Sequence, residues 1–140
     1  MKKLLIENKI ANLEKVAGFV DEFGTDNNLS PKLVFDLNLV LDELVTNIIS
    51  YGYVDESAHL IQIEADINND LIELQIIDDG VEFNPLLKED VDVNASLLDK
   101  SVGGLGIYLV KQKTNSLFYE RKENKNILNL TKRINIADHK

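Results

Sequence analysis

Apolar residues recur along this chain in two rhythms, and the switches between them mark out its elements. From Asn12 to Phe23, Leu13, Val16, Ala17, Val20 and Phe23 fall three and four apart, which predicts an amphipathic helix with one apolar stripe. Gly24 follows and is expected to end it. Ser30-Pro31 supplies a second start, with Ser as N-cap and Pro at the first helical position. That helix is expected to reach about Ser50 and close near Gly52, with Leu33, Val34, Leu37, Val40, Leu41, Leu44, Val45 and Ile48 as its apolar positions. The period then drops to two. His59 to Ile67 places Leu60 opposite Ile61, Ile63 and Ala65, Asn68-Asn69-Asp70 has the chemistry of a tight turn, and Leu71 to Asp78 gathers Ile72, Leu74 and Ile76 on one face. A short strand over Leu4 to Glu7 comes first. Two more, Ser116 to Arg121 and Ile127 to Ile134, come last, joined by a turn over Lys122-Glu123-Asn124-Lys125-Asn126.

Between the second hairpin strand and the last hairpin the rhythm fails. Phe83-Asn84-Pro85 opens a polar stretch that reaches about Val102, and a loop of that length in a compact domain is usually functional or disordered. Gly103-Gly104-Leu105-Gly106 then leads into Ile107-Tyr108-Leu109-Val110-Lys111, a glycine-rich turn opening a third helix. Hairpin connections favour an antiparallel sheet, and the interspersed helices are expected to cover one of its faces. The expected class is α+β, a two-layer α/β sandwich with a mostly antiparallel sheet. No repeat or composition break divides the chain, so residues 1–140 read as a single domain.

Composition removes several chemistries. There is no cysteine, hence no disulfide, thiolate nucleophile or cysteine-based zinc site, and only His59 and His139 are available for imidazole ligation. The net charge of −9 comes with no basic stripe, which argues against direct nucleic-acid binding. Met1-Lys2-Lys3 precedes an apolar run of only three residues, Leu4-Leu5-Ile6, and no run approaches the ~20 apolar residues of a membrane span. A soluble, cytoplasmic protein with no membrane association is expected.

The candidate chemistry lies on the second helix. Glu43 and Asn47 are one turn apart and share a face; Asp36 lies within about 60° of them at about 100° per residue. An Asn amide oxygen suits Mg²⁺, and a Glu one turn away can accept a proton from an attacking hydroxyl. A solvated helix face would look the same. Asp78 is the second candidate. Its parity turns it toward the apolar side, where a carboxylate is costly unless donors meet it or the strand has already ended. The third is the glycine turn, since a helix N-terminus is a ready anion site. It matches neither established phosphate motif. Gly-x-x-x-x-Gly-Lys-Ser/Thr does not occur, and Gly104-Leu105-Gly106-Ile107-Tyr108-Leu109 has Leu where the dinucleotide fingerprint needs a small residue.

Taken together, Glu43 to Asn47, Ile77-Asp78-Asp79-Gly80-Val81-Glu82-Phe83-Asn84-Pro85 and Gly103-Gly104-Leu105-Gly106 resemble the N-box and the two glycine boxes of the GHKL ATPase superfamily, whose nucleotide site is the Bergerat fold. The polar stretch between the glycine boxes sits where that family has its ATP lid. Glu-x-Val-Thr-Asn followed by Gly-Tyr, together with Gly-Gly-Leu-Gly-Ile-Tyr-Leu-Val and the late Asn-Ile-Leu-Asn-Leu-Thr-Lys, is similar to the anti-sigma-factor serine kinases of bacterial partner-switching pathways. The resemblance implies ATP and Mg²⁺ as cofactors, and a STAS-fold antagonist protein as phosphoacceptor. A sigma factor is the second expected partner, and a homodimer stays open. It implies Glu43 as general base, Asn47 as Mg²⁺ ligand and Asp78 as acceptor for the adenine amino group. Gly80 would allow close backbone approach to the base. Gly103, Gly104, Leu105 and Gly106 would form the phosphate cradle, and Thr131 would offer a hydroxyl near the adenine.

The sequence also departs from that family. Arginine occurs only at Arg121 and Arg133, in neither the first helix nor the lid, where these kinases commonly carry it. Lys100 could supply a point charge but not a guanidinium fork. Glu82 stands where the first glycine box often has a second Gly. Intact Glu43 favours a kinase. The missing arginines favour an alternative, a regulatory module that binds ATP and acts through protein–protein binding without catalysis.

Overall fold

The computed structural model describes residues 1–87, 104–135 and 138. In chain order the elements are β1 (Lys2–Glu7), α1 (Leu13–Asp26), α2 (Pro31–Tyr51), β2 (Leu60–Asn68), β3 (Leu71–Asp78), α3 (Gly104–Lys113), β4 (Ser116–Lys122) and β5 (Lys125–Arg133), with single 3₁₀ turns at Ile10–Asn12 and Pro85–Leu87. The strands form one sheet in the order β1-β2-β3-β5-β4, and every neighbouring pair is antiparallel. This is the expected α+β sandwich.

Period two decides which side of the sheet is covered. Ile61, Ile63, Ala65, Ile72, Leu74, Ile76, Leu128 and Leu130 are buried on one face, under Phe19, Val20, Leu37, Val40, Leu41, Leu44 and Val45 from α1 and α2 and Ile107 and Val110 from α3, in one cluster. The other face is open and leaves Leu5, Leu60 and Phe118 exposed. Both hairpins turn on two residues at positive φ. These are Asn69 (52°) and Asp70 (64°) in the first, Glu123 (52°) and Asn124 (63°) in the second, the pairing whose twist matches the flanking strands. The last turn is therefore shorter than the sequence suggests. Asn126, expected in that turn, is a strand residue of β5 paired with Asp78 on one side and Arg121 on the other.

The start of α2 is as expected: the Ser30 hydroxyl accepts from Leu33 N–H and Pro31 opens the helix. The end of α1 is not. Gly24 does not stop the helix, which runs to Asp26. The left-handed residue is Asn28, at φ 54°. Asn28 N–H donates to Thr25 O and Leu29 N–H to Gly24 O, the paired bonds of a Schellman motif with Asn in place of Gly. Gly24 is small for a different reason. A Cβ there would lie 2.4 Å from Val34 Cγ2, so the missing side chain lets α1 and α2 cross closely.

Asp36 is buried but belongs to this framework. Its carboxylate meets Lys32 Nζ at 3.4 Å and Lys113 Nζ at 3.5 Å, tying α2 to the end of α3. The expectation that it shares a site with Glu43 and Asn47 is thus not met.

Gly24→Ala tests the helix crossing. Alanine raises helix propensity by about 1 kcal/mol, but crowding a stiff Val34 costs about 1–3 kcal/mol. A net loss of about 1 kcal/mol is expected in urea denaturation, and Val34→Ala should relieve part of it in the double variant. Strictly additive costs would show that the two side chains do not meet.

Candidate functional site

One cavity opens where the C-terminal end of α2, the end of β3 and the first turn of α3 come together. Leu44, Asn47, Ile48 and Gly52 line it from α2 and its cap, Ile76 and Asp78 from β3, Val81, Phe83 and Pro85 from the following loop, Ile107 from α3, and Tyr119, Asn126 and Leu128 from the last hairpin. The walls are mostly apolar. The two polar groups reached by sequence reasoning, Asn47 and Asp78, are among the few polar side chains lining it, a pattern typical of small-molecule sites.

Asp78 is 5% exposed, so the strand has not ended and its parity holds. Burial pushes its carboxyl above the usual range, while bonds from Asn126 and the Gly80 N–H pull it back. Both donors converge on one oxygen. Gly80 N–H reaches Oδ1 at 2.8 Å and Asn126 Nδ2 reaches the same atom at 3.0 Å. No bond among the described residues engages Oδ2.

Asn47 is 8% exposed. Its Nδ2 is buried without a hydrogen-bond partner among the described residues. Such an orphan is costly unless something else meets the amide. Glu43 lies one turn back, half-buried and outside the lining. Burial, with Asp42 beside it, raises its carboxyl from the usual value, the direction a general base needs to work near neutrality.

Gly80 is required by the chain itself. A Cβ there would sit 2.4 Å from the Gly52 carbonyl oxygen, which also accepts the Val81 N–H at 2.7 Å. The close approach is thus to the end of α2. Gly104, Leu105 and Gly106 form the first turn of α3, a ten-residue helix with no acidic residue in that turn. The first N–H groups of a helix have no intrahelical partner, and such a start suits an anion. Gly103, Lys100 and the polar stretch from residue 88 onward lie outside the described residues.

Thr131 is not brought to the cavity. It faces the open side of the sheet, where its hydroxyl bonds Ser116 Oγ at 2.6 Å. The position beside Asp78 is held instead by Asn126, with Tyr119 and Arg121 behind it. Arg121 donates to the Gly80 carbonyl at 2.8 Å. Sequence reasoning missed all three. A two-residue turn at Glu123-Asn124 would have put Asn126 in phase with Leu128 and Leu130 and shown it facing inward.

A model of the histidine kinase-like ATPase domain matches residues 6–132. The chain belongs to this family. Among curated relatives, the serine/threonine-protein kinase BtrW of Bordetella bronchiseptica is 29% identical over 73% of this chain and 72% of its own length. An anti-sigma F factor of Clostridium beijerinckii is 29% identical over 75% and 71%. Among solved structures, the RsbU and RsbW domains of Rv1364c from Mycobacterium tuberculosis superpose with a TM-score of 0.63 at 15% identity, covering 95% of this chain and 32% of that one. The catalytic domain of histidine kinase ThkA gives 0.53 at 16% identity, covering 95% and 97%. At such identities these two establish the fold. Among the described residues, no helix is long and apolar enough to cross a membrane.

Just outside this ATPase-domain cavity, the loop after α2 is pinned to the first glycine box. His59 stacks on Tyr53 at 4.4 Å, its Nε2 meets Asp55 Oδ1 at 2.9 Å, and its Nδ1 meets the Asp79 carboxylate at 3.2 Å. Ser57 Oγ donates to Asp55 Oδ1 at 2.7 Å, which leaves this cluster an ion-paired latch with no free base. Bonds to Asp55 and then Asp79 raise the His59 pKa above its ordinary 6.5. A raised folded value means the latch contributes fully below pH 6.5 and fades as pH climbs through the folded pKa. Wild type should therefore lose stability relative to His59→Gln as pH rises from 6.5 through the raised folded pKa. Parallel stability profiles, or an imidazole NMR titration at or below its ordinary value, would remove the latch.

Proposed function

We propose that this chain is an ATP-dependent protein-serine kinase of the anti-sigma type. The observation that carries the reading is convergence. Asn47, Asp78 and Ile107 near the start of α3, some thirty residues apart in sequence, border one apolar cavity. Among the described residues, Asn47 brings a buried amide with an unmet group and Asp78 a buried carboxylate with one oxygen unengaged. The names of the two curated relatives support the same class.

On this reading the apolar walls take the adenine, Asp78 Oδ2 accepts from its amino group, and the phosphates lie toward the start of α3 at Gly104, Leu105 and Gly106. Among the described residues no cluster of three or more acidic or histidine side chains could cage a metal. The donor set fits a cation that arrives with the nucleotide and takes one protein oxygen, from Asn47, as Mg²⁺ commonly does. Bound there, Mg²⁺ would supply charge neutralisation on the phosphates. Glu43 takes the proton of a substrate Ser hydroxyl as its oxygen bonds to the γ-phosphorus, the β–γ bridge bond breaks and ADP leaves. The phosphoacceptor is a STAS-fold antagonist in the cytoplasm, with a sigma factor as second partner.

A second reading, the ATP-binding module without transfer, is favoured by a specific observation. Among the described residues no Lys or Arg lines the cavity, and Arg121 is committed to the Gly80 carbonyl. Charge clamps on the transferred group are a large part of phosphoryl-transfer catalysis.

One measurement tests the site both readings share, and a second separates them. In calorimetry Asn47→Ala should lose the Mg²⁺-dependent part of ATP affinity and Asp78→Asn should weaken binding with or without metal; unchanged affinity in both would remove the nucleotide site. With radiolabelled ATP and the antagonist, Glu43→Gln should keep binding and lose transfer by a factor on the order of 10² to 10⁴. A wild type that binds both partners and transfers no label leaves the binding module standing, and equal transfer by both proteins rules Glu43 out as base.

A further inference from the structure

Asn126 makes every hydrogen bond its amide allows. Its Nδ2 donates to Asp78 Oδ1 at 3.0 Å and to the Val81 carbonyl at 2.8 Å. Its Oδ1 accepts from Phe83 N–H at 3.2 Å and from the Tyr119 hydroxyl. Two donors and two acceptor sites are the whole capacity of the group. Turning it over would set Oδ1 against the Asp78 carboxylate and the Val81 carbonyl, and Nδ2 against two donors. Its orientation is therefore fixed by its surroundings. Asn126 is itself 7% exposed.

This fixed amide has a consequence for Asp78. Oδ1 already receives two donors, Asn126 Nδ2 and Gly80 N–H, so a proton on this carboxyl could sit only on Oδ2. The same two donors favour the ionised form against the burial that opposes it. Burial is the larger effect and raises the carboxyl overall; in the ionised form that the two donors favour, Oδ2 is an acceptor and nothing else. An acceptor at that place attracts a purine carrying an amino group at position 6 and repels one carrying an oxo group. Without the Asn126 donor, a protonated Asp78 would present an O–H and accept the oxo purine.

We propose that Asn126 is the positioning residue that makes this site select 6-aminopurine over 6-oxopurine nucleotides, by holding Asp78 with Oδ2 as its outward acceptor. This rests on the nucleotide-site reading given above. Asn126 acts through Asp78 and through the loop Gly80 to Phe83, not by touching the phosphates.

The test compares dissociation constants for ATP and ITP, which differ in the position-6 group and the N1 proton that accompanies the oxo form, in the wild type, Asn126→Ser and Tyr119→Phe, with thermal melting as a folding control. Wild type should prefer ATP by a factor on the order of 10². Serine is too short to bridge from β5 to Oδ1, so Asn126→Ser should cut the ATP:ITP ratio by about tenfold or more, mainly through lost ATP affinity with ITP affinity held or raised. Equal losses for both nucleotides, with the ratio intact, would make Asn126 structural only and overturn the proposal. Should Asn126→Ser not fold, Tyr119→Phe must lower the ratio, because it removes a hydroxyl that pins the amide; a ratio unchanged there overturns it too. A wild type that binds ATP and ITP alike overturns this inference and leaves the nucleotide site standing. A wild type that binds neither defeats the site reading itself.

Discussion

A carboxylate buried at the end of a strand is the constraint around which the functional half of this molecule is arranged. Removing an ionised group from water costs several kcal/mol unless hydrogen bonds replace the lost solvent. Asp78 obtains them from two directions. One is local, the Gly80 N–H two residues on. The other crosses the sheet from Asn126 on β5. The second exists only because β5 pairs with β3 in a register that puts Asn126 opposite Asp78, and because a two-residue turn lets the hairpin close there. Gly80 in turn is needed because the chain passes against the Gly52 carbonyl. The sheet register, the hairpin turn and the end of α2 thus meet at one buried carboxyl.

Helix α2 serves two structures along its length. Its first half supplies core residues and holds Asp36 between Lys32 and Lys113, which docks α3 across it. Its second half carries Glu43 and Asn47 and ends at Gly52, against the first glycine box. The same rigid body therefore sets both the packing of α3 and the distance from Asn47 to Asp78. A site divided among three elements keeps its geometry only if their relative placement is fixed, and here it is fixed by one shared core.

Much of this was legible in the sequence, because periodicity and burial report the same thing. Period two gave β2 and β3, and it gave the inward parity of Asp78. Ser30-Pro31 gave the start of α2. The failures have physical causes. Gly24 was read through its backbone freedom, but its lack of a side chain matters at the α1–α2 crossing, and Asn28 carries the left-handed turn. Asp36 shares a helix face with Glu43 and Asn47, yet two lysines claim it, one of them far away in sequence. Thr131 and Asn126 were exchanged in effect. A five-residue turn was assumed where two residues suffice, and that took Asn126 out of the strand. Thr131 was judged by its hydroxyl without regard to parity. Turn length is set by twist matching between strands, which a stretch of Lys, Glu and Asn does not reveal alone.

The two ends of the cavity are built from different materials. At the Asp78 end, side chains are committed in advance: carboxylate, amide, phenol and guanidinium each have a partner in the protein. At the α3 end, what the described residues offer an anion is backbone. An acidic protein has reason to work this way. With a net charge of −9, lysines near the cavity would be drawn to neighbouring carboxylates, as Lys113 is to Asp36, whereas the N–H groups of a helix start cannot be diverted. On the proposed reading, base recognition would thereby be uncoupled from phosphate handling, and a nucleotide held through its purine would leave the γ-phosphate to charges from outside the described cavity. The kinase and the binding module proposed for this chain therefore share one end of the site and differ only at the other.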